Sequence, residues 1–208
     1  MHEPLAHPAP LQPAEPDTAT PASAAPMMPT LTPRARRQGI RNAFDRAAAH
    51  YDEAAHIQRE ICARLSAFAM GLDLQPPLRT DAPVLDAGCG TGFGFAELDR
   101  LCPGAARIAL DLAPSMLAQA RGRHEMARTT THRGKAAAAA ACAETTPAQD
   151  AGRASELLAV CGDLEHLPLA RDSLALIWSS LAIQWCDPGR ALAECARVLA
   201  PGGVAVVA

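Results

Sequence analysis

The stretch "VLDAGCGTGFGF", Val84–Phe95, decides the fold of this chain. A short apolar run that ends in an acid, Asp86, leads directly into three glycines at alternate positions: Gly88, Gly90 and Gly92. A glycine-rich turn after a buried strand is typical of a nucleotide site, because the ligand must come close to the backbone N–H groups at the start of the next helix. The stretch therefore predicts a parallel sheet with a nucleotide-like ligand at this turn.

The same loop argues against a dinucleotide. Dinucleotide enzymes carry G-x-G-x-x-G at this place. Here Phe93 stands at the last position if the pattern starts at Gly88, and Phe95 stands there if it starts at Gly90. Asp86 lies just inside the loop, where its negative charge repels a pyrophosphate and attracts a cation. The loop therefore favours a ligand that has positive groups and no phosphates.

Two further acids extend the predicted site. Asp111 ends the predicted second strand, roughly 20 residues beyond the loop, where an acid can accept hydrogen bonds from ribose hydroxyls. Asp163 follows Gly162 at the end of the predicted third strand, where it can receive the amino group of a base or simply cap a turn. A nucleoside with a cationic attachment fits Asp86, Asp111 and Asp163 together, and S-adenosylmethionine is such a molecule.

Strands and helices alternate along the chain. Five apolar runs predict strands, over residues 82–88, 107–114, 156–163, 174–180 and 202–208. Helices are predicted over residues 94–101, 114–127 and 187–200, the last with Asp187 as N-cap and Pro188 at its first position. This alternation predicts an α/β fold, a Rossmann-like, doubly wound, mostly parallel sheet that is covered on both faces.

Composition divides the chain into three parts. Residues 1–33 are rich in Pro and Ala and are expected to be disordered, because they cannot bury enough apolar surface. Residues 34–77 are predicted to form a helical cap, since apolar residues recur there at three- and four-residue steps. Residues 78–208 form the predicted cofactor-binding domain, and the alanine-rich residues 127–153 are expected to be a low-complexity loop insertion.

The overall composition limits the class of partner. The chain has 208 residues, a formal charge of -3 and 49% hydrophobic residues, which predicts a soluble protein with one core and no nucleic-acid or membrane partner. Its seven cysteines contain no C-x-x-C pair. We therefore expect no metal site, and we expect a monomer in the reducing cytoplasm.

Longer segments resemble a known family. "VLDAGCGTG", "ALDLAPSML" and "GDLEHLPL" resemble the successive cofactor motifs of class I S-adenosylmethionine-dependent methyltransferases, from about residue 84 to the end of the chain. "FDRAAAHYDEAAHIQREICARL" and "SSLAIQWCDPGRALAECARVLAPGG" are similar to the malonyl-acyl carrier protein O-methyltransferases of biotin synthesis. The family's sheet normally continues beyond a fifth strand, so the fold is expected to be truncated there.

The resemblance implies roles for individual residues. It places the methionine part of the cofactor against Asp86, Gly88, Gly90, Gly92 and Ser180. It places the ribose at Asp111 and the adenine at Leu112, Met116, Asp163 and Leu164. It places Tyr51, with Arg46 and His50, on a helix that folds over the cofactor. The substrate-side candidates are His50, Tyr51, Gln184 and Trp185.

Structural interpretations of several of these residues stay open. Tyr51 and Trp185 can be core aromatic residues, His50 a surface histidine and Cys89 a small filler of the core. The arginines 34, 36, 37 and 41 can form a solvated patch or a docking surface for an acidic carrier protein.

The reaction that the resemblance implies is methylation of the free carboxyl group of a malonyl thioester, carried by acyl carrier protein or coenzyme A. Such a carboxylate is ionised at neutral pH, so no general base is expected. Two alternatives remain: another small-molecule methyltransferase, for example of a quinone, which would need a base, and a truncated remnant without catalysis.

Overall fold

The computed structural model describes residues 32–72, 81–141 and 156–208. Most of the N-terminal segment for which disorder was predicted lies outside these residues. Its end does not, because Thr32 and Pro33 begin the first helix: the Thr32 hydroxyl accepts a hydrogen bond from the Ala35 N–H at 3.2 Å, and Pro33 occupies the first turn.

Three helices precede the sheet. They are α1 (Pro33–Ala47), α2 (Tyr51–Ala54) and α3 (His56–Met70). They occupy most of the range 34–77 that was predicted to be a helical cap, whose residues 73–77 lie outside the described part.

The remaining elements alternate between strand and helix, apart from one crossover that has no helix. They are β1 (Val84–Ala87), α4 (Phe95–Leu101), β2 (Arg107–Asp111), α5 (Pro114–Ala141), β3 (Leu157–Cys161), β4 (Leu174–Ser179), a 3-10 helix (Ile183–Trp185), α6 (Pro188–Val198) and β5 (Leu199–Val207). The N-cap prediction for α6 is confirmed, since the Asp187 carboxylate accepts from the Arg190 N–H at 3.1 Å.

The five strands form one parallel sheet in the order β3-β2-β1-β4-β5. The predicted Rossmann-like α/β fold is thereby confirmed. The direction in which strands are added reverses between β1 and β4, and in such sheets ligands bind beside this reversal at the carboxyl ends of the strands. β1 carries Asp86 to that edge, opposite Ala109 of β2 and Trp178 of β4.

Helices cover both faces of the sheet. One face packs against α6 through Leu85, Leu110, Ile177, Cys195 and Val198. The other face packs against α3, α4 and α5 through two clusters, one built on Cys62, Val84, Leu98 and Trp178, the other on Phe95, Ala109 and Leu117. Every residue of β1 and β4 is buried, as expected for central strands of a parallel sheet.

The prediction of a loop over residues 127–153 is wrong for its first part, because α5 continues as a helix to Ala141. Alanine has the highest helix propensity, and extending a helix that is already nucleated on the sheet adds one hydrogen bond per residue. Residues 142–153 lie outside the described part. Within the described residues, no helix has the length and apolar character needed to cross a bilayer.

Candidate functional site

A cavity of about 630 Å³ lies at the carboxyl ends of the strands, beneath α1. Most of the residues singled out from the sequence line it: Tyr51, Asp86, Gly88, Gly90, Asp111, Leu112, Met116, Asp163, Leu164, Ser180, Gln184 and Trp185. Gly92 and His50 are not among the lining residues. The cavity therefore brings the two halves of the predicted site, the sheet edge and the N-terminal helices, into one space.

The three glycines of the loop have different surroundings, which explain in different ways why a side chain is absent there. A Cβ on Gly88 would lie 2.2 Å from the Cβ of Ala182, and one on Gly92 would lie 2.8 Å from the Phe95 ring. At Gly90 nothing lies within 4 Å of that position, although its φ of +52° also favours glycine. Gly88 and Gly92 thus allow close packing, whereas Gly90 leaves its surface open to a ligand.

Asp86 is 2% exposed, and its Oδ2 has no hydrogen-bond partner among the described residues. Burial raises the pKa of this carboxyl group to about 7, against the lowering effect of Arg107. Gly94 makes room for the carboxylate, since a Cβ there would lie 2.6 Å from Oδ2. A buried acceptor without a partner is costly, and a ligand that carries N–H donors would satisfy it.

Asp111 uses both oxygens to shape the loop. Its Oδ2 accepts from the Gly90 N–H at 2.8 Å and its Oδ1 accepts from the Ala113 N–H at 2.9 Å. Burial raises the pKa of Asp111, and the backbone N–H groups counteract that rise. Each oxygen of a carboxylate has room for a second hydrogen bond, so the group could still bind ligand hydroxyls.

Asp163 caps a turn, which is one of the two interpretations made from the sequence. Its Oδ1 caps a turn by accepting from the Glu165 N–H at 2.9 Å, and its Oδ2 lies 3.2 Å from Nε of Arg37. Arg37 also donates to Glu165 at 2.9 Å. The proposed solvated arginine patch is therefore wrong for Arg37, which is a cavity-lining residue of α1 with two acidic partners.

Three aromatic side chains meet at the cavity. Phe44 contacts Trp185 edge-on, with ring centroids 5.4 Å apart, and lies 6.3 Å from the Tyr51 ring. Trp185 is 45% exposed, so the interpretation of this residue as core is wrong; the fully buried tryptophan is Trp178. Tyr51 is half-buried beside Met116, and burial raises the pKa of its phenol. The sequence singled out Phe44 only as a periodic apolar residue.

Polar contacts fasten the N-terminal helices to the rest of the chain. Asp45 accepts from the Ser115 N–H at 2.9 Å, at the start of α5. Asp52 accepts from the Thr91 hydroxyl at 2.7 Å and pairs with Arg123. These partners lie 39 to 71 residues apart in the sequence, so no local pattern could reveal them.

The structure places His50 at the surface and Cys89 among buried residues. The His50 side chain is 79% exposed and lies 3.1 Å from Glu53 at the surface. Cys89 is buried, and burial raises its thiol pKa well above the usual value, as expected of a core filler. Within residues 32–72, 81–141 and 156–208 no group of three or more His, Cys, Asp or Glu side chains is arranged to hold a metal ion.

The charges that line the cavity are mostly negative. The described lining residues include four carboxylates, Asp86, Asp111, Asp163 and Glu165, and one guanidinium, that of Arg37; they include no His and no Lys. Arg37 is engaged by two of the carboxylates, which leaves Asp86 and Asp111 without a cationic side chain in the cavity. The arrangement suits a ligand with hydroxyl groups and a positive charge.

Comparison with known proteins gives the family. The sequence profile described as a methyltransferase domain matches residues 85–207. A malonyl-[acyl-carrier protein] O-methyltransferase of Dechloromonas aromatica (strain RCB) is 43% identical over 181 residues, which are 86% of this chain and 53% of that protein. Another, of Laribacter hongkongensis (strain HLHK9), is 42% identical over 81% of this chain and 49% of its own length. The chain spans about half the length of these curated relatives.

Solved structures share the fold. Geranyl diphosphate C-methyltransferase from Streptomyces coelicolor A3(2) has a TM-score of 0.54 at 16% identity, over 88% of this chain and 65% of that one. Phosphoethanolamine N-methyltransferase 1 of Haemonchus contortus has a TM-score of 0.55 at 15% identity, over 82% of this chain and 31% of that one. The profile match covers more than half of the 208 residues, and the chain belongs to the methyltransferase domain family.

Proposed function

We propose that this chain is an S-adenosylmethionine-dependent methyltransferase that converts the free carboxyl group of a malonyl thioester into its methyl ester, a step of biotin synthesis. The observation that carries the proposal is the cavity at the strand reversal, whose lining includes both Asp86, with an oxygen that has no partner among the described residues, and Gly90, with its open surface. The names of the relatives from Dechloromonas and Laribacter support the choice of substrate.

The residues present fit this cofactor. Asp86 offers a buried, unpartnered carboxylate oxygen for a positively charged group, and Gly90 leaves space above its backbone. Asp111 would hold the ribose hydroxyls with the free acceptor positions of its carboxylate. The apolar side chains of Leu112, Met116 and Leu164 line the same cavity and would contact the adenine, and Ser180 would lie near the methionine part.

When bound, S-adenosylmethionine supplies an electrophilic methyl group. The chain's own residues then have to bind, orient and shield the reactants. Helix α1 covers the cavity and is held there by Arg37 at one end and by Asp45 near the other. Exclusion of water and fixed orientation of the two reactants are the contributions this architecture can make to the rate.

The absence of a suitable base supports a carboxylate as the acceptor. A malonyl carboxylate has a reference pKa of about 4 and is already ionised at neutral pH. Among the described residues that line the cavity there is no histidine or lysine, and Asp163 and Glu165 are tied to Arg37. The other two carboxyl groups, those of Asp86 and Asp111, are assigned to the cofactor. Burial raises the Tyr51 pKa, so its phenol stays protonated. A phenol or carbon acid, which must lose a proton, finds less support in this cavity.

The substrate would approach beside the 3-10 helix. Gln184 and Trp185 line the cavity there, and both are exposed. Phe44 adds an apolar ring to this wall. We propose that the malonyl group enters past these side chains on a carrier, acyl carrier protein or coenzyme A, which stays outside. We further propose that residues 34–77 form a cap over a cofactor-binding domain of residues 78–208. We also propose that the protein is a monomer and acts in the cytoplasm.

The test is transfer of labelled methyl from S-adenosylmethionine to malonyl-acyl carrier protein. Acetyl-acyl carrier protein serves as the matched control, since it lacks only the free carboxyl group. Label on the malonyl form alone, and its loss in Asp111→Ala, is the expected result. Transfer to a phenol or a quinone with no transfer to the malonyl form would contradict the proposed substrate.

A further inference from the structure

Gln58 of α3 lines the cavity and carries a buried side-chain oxygen, Oε1, without a hydrogen-bond partner in the described part of the chain. The sequence did not single out this residue. Asp86 Oδ2 is in the same condition, and Asp86 lines the same cavity. The cavity therefore has two lining residues that each hold an unsatisfied buried acceptor.

The face of α3 that carries Gln58 lines the cavity near Asp86, because Cys62 of this face packs in one cluster with Trp178, the β4 partner of Asp86. Gln58 and Cys62 are one helical turn apart and both line the cavity. Burial, and after it the Asp86 charge, raises the pKa of the Cys62 thiol, so this face of α3 lies within electrostatic reach of the carboxylate. The neighbouring Arg59 is directed elsewhere, with its guanidinium over the Phe93 ring and a hydrogen bond to the Asp52 carbonyl oxygen.

Five buried side-chain polar atoms lack a partner among the described residues, and two of them, Gln58 Oε1 and Asp86 Oδ2, belong to residues that line the cavity. A buried acceptor without a donor costs about 1–3 kcal/mol, more if it is charged, and such groups are rare unless a ligand or water satisfies them. An ammonium group carries three N–H donors and a positive charge, so it can serve a carboxylate oxygen and an amide oxygen together. A hydroxyl has one donor and no charge.

We propose that Gln58 Oε1, together with Asp86 Oδ2, accepts a hydrogen bond from the α-ammonium group in the methionine part of S-adenosylmethionine. The inference rests on the proposed function and adds to it a binding residue from the N-terminal cap. It also gives the cap a chemical task, since α3 then touches the ligand rather than only covering it.

The test compares two ligands by isothermal titration calorimetry. S-adenosylhomocysteine contains the amino-acid part, and 5′-methylthioadenosine lacks it. Gln58→Met removes the acceptor and keeps the side-chain length, Gln58→Glu keeps an acceptor, and Gln119→Met on the exposed side of α5 is the matched control. Hydrogen bonds to charged groups are worth about 1.5–3 kcal/mol, or roughly 10- to 150-fold in affinity.

The expected result is that Gln58→Met weakens S-adenosylhomocysteine binding by roughly 10- to 150-fold and leaves 5′-methylthioadenosine binding unchanged. Gln58→Glu should bind S-adenosylhomocysteine at least as tightly as the parent chain. Without ligand, Gln58→Met should melt no lower than the parent, because the substitution removes an unsatisfied buried oxygen.

Three results would overturn the inference. An equal loss for both ligands would mean that Gln58 does not bind the amino-acid part. Weakening by Gln58→Glu as well as by Gln58→Met would mean that the amide donates to the ligand carboxylate instead. A lower melting temperature of the ligand-free Gln58→Met chain would mean a structural role. If the parent chain binds neither ligand, the proposed function itself fails, and that outcome is distinct from the other three.

Discussion

The Arg37 guanidinium lies 3.2 Å from the Asp163 carboxylate, measured from Nε to Oδ2. This contact joins the first helix of the cap to the loop after β3. Arg37 also donates to Glu165, whose other oxygen accepts from the Asp187 N–H at the start of α6 at 3.0 Å. One arginine therefore connects the cap to the two loops on the far side of the cavity.

Replacement of Arg37 should loosen the cap. Because Arg37 and its partners are partly exposed, Arg37→Gln is expected to lower the free energy of unfolding by only about 1 kcal/mol. It should, however, speed hydrogen exchange in α1 and weaken binding of S-adenosylhomocysteine. Arg34→Gln is the control, since Arg34 is exposed and makes no ion pair in the described residues. Equal exchange rates in the two variants would contradict the role of Arg37.

Gly88→Ala should be strongly destabilising. The added Cβ would lie 2.2 Å from the Cβ of Ala182, in a backbone with φ of +76°. Overpacking costs about 1–3 kcal/mol and the left-handed conformation about 1–2 kcal/mol more. Gly104→Ala is the matched control, because its φ is +77° and nothing lies within 4 Å of its Cβ position. Urea unfolding should separate the two, and similar losses of stability would show that the contact with Ala182 relaxes.

Gly90→Ala should impair binding more than folding. The backbone conformation is again left-handed, but no protein atom lies within 4 Å of the added Cβ. The expected loss of stability is about 1–2 kcal/mol, similar to that of Gly104→Ala. The affinity for S-adenosylhomocysteine should fall in Gly90→Ala and stay unchanged in Gly104→Ala. Calorimetry that finds parental affinity in Gly90→Ala would argue that the ligand does not rest on this surface.

The stability of the ligand-free chain should depend on pH through Asp86. Its pKa rises from 3.8 to about 7 on folding. Between these values the folded chain keeps a proton that the unfolded chain releases. The proton's contribution to the free energy of unfolding is therefore complete below pH 3.8 and is lost as the pH rises to about 7. Above that pH the stability no longer changes through Asp86. The slope from one proton is at most about 1.4 kcal/mol per pH unit.

Asp86→Asn isolates this contribution. Urea unfolding at pH 5, 6, 7 and 8 should show the free energy of unfolding of the parent falling with pH relative to that of the variant. The affinity of the parent for S-adenosylhomocysteine should rise over the same range, because a cationic group favours the ionised carboxylate. Parallel stability curves for the two chains would rule out a raised pKa at Asp86.

Phe44 and Trp185 should be energetically coupled. Their edge-on contact is expected to contribute about 0.5–1.5 kcal/mol beyond the area that each ring buries. A double-mutant cycle on the free energy of unfolding, with Phe44→Ala and Trp185→Ala, measures this coupling. The pair Phe44→Ala and Phe68→Ala is the control, since Phe68 is 65% exposed on α3. Additive effects for Phe44 and Trp185 would mean that the wall is not held together by this contact.

The sequence by itself determined the sheet and the edge at which the cavity lies. Apolar runs and their flanking turns are local signals, so the five strands, the glycine loop and the N-cap at Asp187 could be predicted directly. The placement of Asp86 and Asp111 followed, because the carboxyl ends of parallel strands meet at one edge of a sheet. The length of α5 did not follow, because an alanine run without an apolar face gives no local sign of how far a nucleated helix will propagate.

Only the tertiary structure decided which of the candidate residues share the cavity. Arg37 and Gln58 come from helices that lie far from the sheet in sequence, and packing of the cap brings them to it. In the structure Gly92 packs against the Phe95 ring and His50 lies at the surface. The places of Arg37 and Gln58 in the cavity depend on partners many residues away, which no spacing in the local sequence encodes.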